Sequence, residues 1–184
     1  MVAAGIALGA YAAVIVTSGD PITALHARGA QRGLRRQLAH EARAPAAARR
    51  PADGAALGVL RIPRIGVDAV VVEGTSTRDL DRGPGHYRIT GLPGSGRVVA
   101  VAGHRTTFGA WFRRLDDLAK GTPILFAYDG RTFTYRVTGE RVVTPTDWRI
   151  LRYPGYEELV LSTCHPVYSA SHRLVVFARL AATA

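Results

Sequence analysis

Asp129-Gly130 stands between two runs of alternating residues, PILFAY and RTFTYRVTG, and this arrangement restricts the fold more than any other feature of the chain. An Asp-Gly pair supplies the left-handed backbone that a two-residue hairpin needs, and alternation turns one face of each flanking run toward a core. The same texture recurs on both sides. GVLRIPRI (58–65) sets Val59, Arg61 and Pro63 against Leu60, Ile62 and Arg64. VDAVVVEG ends at Gly74, and GRVVAVAGH, EELVLSTC and HRLVVFARL are short apolar runs bounded by turn residues. STRDLDRG predicts one helical turn capped by Ser76 or Thr77, and Trp111, Phe112, Leu115 and Leu118 fall at the spacing of one helical face. About eight short strands with one or two short helices make a mainly β domain. Closing such a sheet into a barrel removes its exposed edges.

The domain spans residues 58–184, and what precedes it has a different composition. Residues 1–19 carry no charge. At about 1.5 Å per residue they make roughly 28 Å of helix, enough for a bilayer core of similar thickness. They read as a retained membrane anchor, with a buried Ala-rich helix as the alternative. The flank that follows is basic, with Arg28, Arg32, Arg35 and Arg36. The positive-inside rule places such a flank in the cytoplasm, a conflict that a basic segment ahead of Met1 would remove. Residues 20–57 read as an Ala- and Arg-rich linker with a short amphipathic helix over 31–43.

The formal charge is +10, and Lys120 is the only lysine. That balance suits anionic lipid, nucleic acid or acidic polymer. No recognition-helix or aromatic RNA-binding signature accompanies it, so nucleic acid is not expected as a partner. Asp79 with Asp81, and Glu157 with Glu158, are carboxylate pairs lacking a third partner for calcium. They read as solvated, and neither a metal nor a cofactor is expected.

Cys164 is the one cysteine, which excludes an intramolecular disulfide and a Cys-rich zinc site. It ends an apolar strand, and His165-Pro166 follows at once. Proline lacks an N–H and disfavours helical geometry before it, so the thiol sits at the rim of the sheet. His104 also ends an apolar strand, after Gly103. Side chains alternate along a strand, so His165 faces away from Cys164, and only one of His172 and Arg173 shares the face of the thiol. Alternation does not choose between those two.

VAGHRTTFG (102–109) and LSTCHPVYSASHRLVVFARL (161–180) resemble the two signature segments of sortases, and together with GPGHY (83–87) they are most similar to class E. The motif before the cysteine reads Val160-Leu161-Ser162-Thr163-Cys164, with Val in place of the family's leading Thr. The resemblance covers residues 58–181 and implies a closed or nearly closed eight-stranded sortase-type β-barrel. It also implies a cysteine transpeptidase that cuts an LAxTG- or LPxTG-like sorting signal between Thr and Gly. The acyl group then passes to an amine of a cell-wall precursor or a pilin subunit, outside a membrane held by the N-terminal segment. In that scheme Cys164 is the nucleophile, His104 the general acid and base, and Arg173 the oxyanion stabiliser. Thr163 shapes the pocket for the signal's threonine, and Tyr87 bears on the LAxTG preference. Residues 139–157, with Trp148, supply an apolar wall. A non-catalytic, basic β-barrel that binds a surface polymer is the competing reading, and a cysteine hydrolase a third.

Overall fold

The computed structural model describes residues 19–41 and 51–184. The apolar segment read as an anchor falls on residues 1–19, all but the last outside the described residues. Among the described residues no helix is long and apolar enough to cross a membrane.

Eight strands form the domain: β1 (Ala56–Ile62), β2 (Val67–Glu73), β3 (Gly85–His86), β4 (Val98–Ala102), β5 (Pro123–Tyr128), β6 (Arg131–Val143), β7 (Glu158–His165) and β8 (His172–Thr183). They close into a barrel in the order β1-β2-β3-β4-β7-β8-β6-β5, with β5 returning to β1. Most neighbours are antiparallel, but β2 and the short β3 run parallel, and so do β4 and β7, Ala102 beside Ser162. Two parallel strands end at the same rim, which decides where the site can be. Asp129 and Gly130 take φ of 49° and 71° and turn the β5–β6 hairpin as the Asp-Gly pair predicts.

The barrel interior is filled from alternate strand positions. Leu60 and Ile62 of β1, Val99 and Val101 of β4, Leu159 and Leu161 of β7, and Leu174 and Val176 of β8 meet there with Phe126 and Tyr135. The opposite face of β4, β7 and β8 carries a second cluster of Val98, Ala100, Val160 and Val175. Ile150, Leu151, Tyr87 and Phe177 cover it from outside.

The predicted helical face near 111–118 is realised differently. Phe112, Leu115 and Leu118 are buried in the core, but only Leu115–Asp117 coils, as a 3-10 turn. Phe108, Gly109 and Ala110 all have positive φ, a backbone from which no α-helix propagates. The one-turn helix α2 (Thr77–Leu80) forms where the capping signal lies: Ser76 caps it, and Asp79 answers with a bond to the Ser76 N–H.

The segment read as a linker contains a longer element than the expected 31–43 helix. Helix α1 (Pro21–Glu41) packs on the barrel's outer wall, burying Ala27, Gln31 and Leu34. Leu34 joins Ala56, Val70 and Val72. The Gln31 amide accepts from the Val70 N–H at 2.7 Å and donates to the Val70 carbonyl at 2.9 Å. It thereby pairs the stretch of β2 that the two-residue β3 does not reach.

The carboxylates expected to be solvated are not. Asp79, Glu157 and Glu158 are buried. Glu157 accepts from the Gly94 and Gly96 N–H groups at 2.9 and 2.6 Å and from the Tyr135 hydroxyl at 2.6 Å. Burial, reinforced by this carboxylate, raises the Tyr135 phenol, which stays protonated as the donor. Glu157→Ala leaves three donors without their acceptor. Gly94 and Gly96 are exposed and their N–H groups can turn to water, so only the Tyr135 hydroxyl is a buried orphan. One such orphan costs about 1–3 kcal/mol, and a loss of about that size is expected. A lower urea midpoint at unchanged m-value reads it.

Candidate active site

Parallel β4 and β7 lead toward one end of the barrel, and His104 and Cys164 each lie two residues beyond the paired Ala102 and Ser162. The Gly103 N–H donates to the Ser162 carbonyl at 3.0 Å, extending the pairing to the residue before His104. Gly103 is required for close approach: a Cβ there would lie 2.7 Å from the Phe112 ring.

Across the antiparallel β7–β8 ladder, Cys164 is the direct partner of Arg173, and His165 of His172. Directly paired residues share a face. The register therefore makes the choice that alternation left open: Arg173, and not His172, stands on the side of the thiol. The Arg173 guanidinium is exposed and donates to the carbonyls of Ala170 and His172, both at 3.0 Å. Cys164 is half-buried and free.

His104 lies between Asp81 and Phe108, with α1 behind Phe108. Its Nε2 lies 3.6 Å from Oδ1 of Asp81, the residue that ends α2. Its ring tilts against Phe108 with centroids 5.3 Å apart. Phe108 meets His26 of α1 edge-on at 6.1 Å. The Phe108 N–H donates to Thr23 Oγ1 at 2.9 Å, and the Asp20 N–H to the Thr106 carbonyl at 3.0 Å. Burial lowers the His104 pKa from its ordinary value, partly offset by the charge of the nearby Asp81 carboxylate.

Arg105 was not among the residues singled out in the sequence, although it lies within the VAGHRTTFG segment. Its side chain is buried, donating to the Cys164 carbonyl at 3.3 Å, to His165 Nδ1 at 3.0 Å and to Asp116 at 2.7 Å. A guanidinium has no acceptor, so His165 accepts through Nδ1 and any proton it carries as a neutral ring is on Nε2. This holds His165 against Arg105 and fixes the end of β7 to the residue after His104.

Thr163 points into the barrel, with 2% of its surface exposed. Its hydroxyl donates to the Gly103 carbonyl at 2.8 Å, a second tie between the two strand ends. Neighbours on a strand face opposite ways, so Cys164 takes the outer side. Tyr87 is on that outer side, its hydroxyl 3.4 Å from Ser162 Oγ. Trp148 is exposed at the start of a 3-10 turn (Trp148–Leu151), outside the core.

The closed eight-stranded barrel thus carries a strand-end cysteine, an arginine paired with it across the ladder and a histidine that follows the neighbouring parallel strand. The chain belongs to the sortase family, whose domain model matches residues 60–181. Its sequence is 34% identical over 134 residues to sortase D of Bacillus subtilis, covering 71% of this chain and 66% of that protein. The chain thus spans just under two thirds of that relative. The structure of sortase E from Streptomyces avermitilis is 36% identical, with a TM-score of 0.66 over 73% of this chain and 93% of that one. A Clostridium perfringens sortase D5 transpeptidase superposes with a TM-score of 0.76 over 84% of this chain and 99% of that one; at 22% identity it speaks for the fold. Similarity to class E is present, and similarity to sortase D stands beside it.

Proposed function

We propose that the chain is a membrane-anchored cysteine transpeptidase in which Cys164 is the nucleophile, His104 the general acid and base, and Arg173 the donor to the oxyanion. The observation that carries this reading is the β7–β8 register pairing Cys164 with Arg173, at the rim to which parallel β4 leads His104. The substrate is a protein ending in an LAxTG- or LPxTG-like sorting signal.

The Cys164 sulfur bonds to the threonine carbonyl carbon, and the thiol proton passes to His104. Burial favours the neutral imidazole that can take it. The oxyanion is held by the guanidinium of Arg173. Collapse breaks the Thr–Gly C–N bond, and His104 returns the proton to the departing glycine amine, leaving a thioester on Cys164. An amine of a peptidoglycan precursor or pilin subunit then bonds to the thioester carbon. It gives its proton to His104, which passes it to the sulfur as the thiol leaves. Water in place of the amine gives hydrolysis.

Tyr87, on the thiol's side of the sheet, is the candidate contact for the residue after the signal's leucine. Thr163 acts from beneath, through its bond to Gly103. Residues 1–19 serve as a single-pass anchor, with the barrel on the extracellular face and no nucleic acid involved.

The test is the intact mass of the protein after incubation with a peptide carrying either signal. The expected result is an adduct equal to the peptide's acyl portion, discharged by triglycine into a peptide–triglycine product. An unchanged mass with every sorting-type peptide sinks the reading and favours a binding module. An adduct discharged only by water favours the hydrolase.

A further inference from the structure

The carboxylate of Asp81 is not explained by the helix it ends. Asp79 closes the capping box of α2 through Ser76, and Arg82 turns away to the Gly54 carbonyl. Asp81 Oδ1 is shut off from solvent and has no hydrogen-bond partner, and the same is true of His104 Nε2. These two orphaned atoms face each other at 3.6 Å. Buried polar atoms are seldom left unpaired, and an orphan commonly marks a functional arrangement. Catalytic hydrogen bonds are often long in the unliganded protein and tighten when substrate binds. A closure of roughly half an ångström brings this pair into the ordinary hydrogen-bond range.

Resting on the reading of His104 as the acid and base, we infer that Asp81 is its positioning residue: the carboxylate holds Nε2, fixes the tautomer and leaves Nδ1 for the thiol and the amine. A carboxylate against one imidazole nitrogen keeps the proton there while the ring is neutral. It also stabilises the imidazolium formed on the other nitrogen during attack. The mounting is firm. Asp81 follows a capped helical turn, and Gln31 of α1 donates to the Arg82 carbonyl next to it at 3.0 Å.

The remaining charged and titratable groups near His104 are otherwise placed. Arg105 is turned to Asp116, His165 and the Cys164 carbonyl. His26 is separated from His104 by the Phe108 ring. Cys164 and Arg173 share the rim as the partners in the reaction. Asp81 is thus the one acid in contact with the imidazole among the described residues, and its charge opposes the lowering by burial.

The experiment uses the full chain with 13C-labelled histidine, the His104 signal being the one lost in His104→Gln. Titration is followed with Cys164→Ala in place, so that thiol ionisation does not intrude. Asp81→Asn is nearly isosteric. It is expected to move the His104 midpoint to lower pH, because the charge favouring the imidazolium is gone while burial remains. In the cysteine-containing protein the same change is expected to slow acyl-enzyme formation about tenfold at saturating peptide, a small part of what general acid–base catalysis supplies, with KM little altered. Asp81→Glu restores part of both. An unmoved midpoint, or wild-type acylation in Asp81→Asn, overturns the inference. If Asp81→Asn does not fold, Asp81→Ser carries the same two readouts. A wild-type protein that forms no acyl-enzyme overturns the reading of the site itself; normal wild-type turnover with an unmoved midpoint overturns only the part given to Asp81.

Discussion

Cys164→Ala reduces acyl-enzyme formation and transfer to background while leaving the fold and peptide binding in place. The size of the effect follows from the chemistry. The thioester needs a sulfur, and no second cysteine exists in the chain to substitute for it. Removing the nucleophile of a concerted catalytic group costs several orders of magnitude in rate, so a loss of at least about a thousandfold is expected. The side chain is small and half-buried at a strand end, and the backbone there is held independently by Arg105. The melting temperature should therefore hardly change. Cleavage persisting in Cys164→Ala at more than a few per cent of the wild-type rate, by the measure of peptide product, would remove the thiol from the mechanism.

Arg173→Ala should lower the acylation rate by about a hundred- to a thousandfold, the usual cost of one oxyanion donor. The loss belongs in kcat, because the charge it meets exists only in the tetrahedral intermediates. The exposed guanidinium contributes little to stability, so a loss of activity cannot be laid to unfolding. Arg173→Lys keeps the charge but not the forked geometry, and an intermediate rate is expected. In the free protein Arg173 donates to the Ala170 and His172 carbonyls, so the loop between β7 and β8 holds the guanidinium. A mutant that raises KM at unchanged kcat would make Arg173 a binding residue instead.

The hairpin at Asp129-Gly130, the strand-end thiol and the histidine after Gly103 were all legible, since each depends on a local pattern. The pairing of Cys164 with Arg173 was not, except by resemblance, because alternation along one strand carries no information on its register against another. Asp81 and Arg105 escaped for a related reason. An aspartate at the end of a helical turn and an arginine in a loop look solvated until the fold puts them against His104 and the end of β7. The N-terminal part of helix α1 is not visible in the sequence pattern because its buried stripe is only Ala27, Gln31 and Leu34. A glutamine and an alanine do not register as a core face, although Gln31 makes the two bonds that secure β2.

The bond from the Asp20 amide to the Thr106 carbonyl has a mechanical meaning. Thr106 is two residues beyond His104, so tension along the chain ahead of Asp20 bears on the loop holding the imidazole before it reaches the barrel wall. A leash attached on the N-terminal side would load the reactive end of the molecule directly, through one backbone bond and the hydroxyl of Thr23.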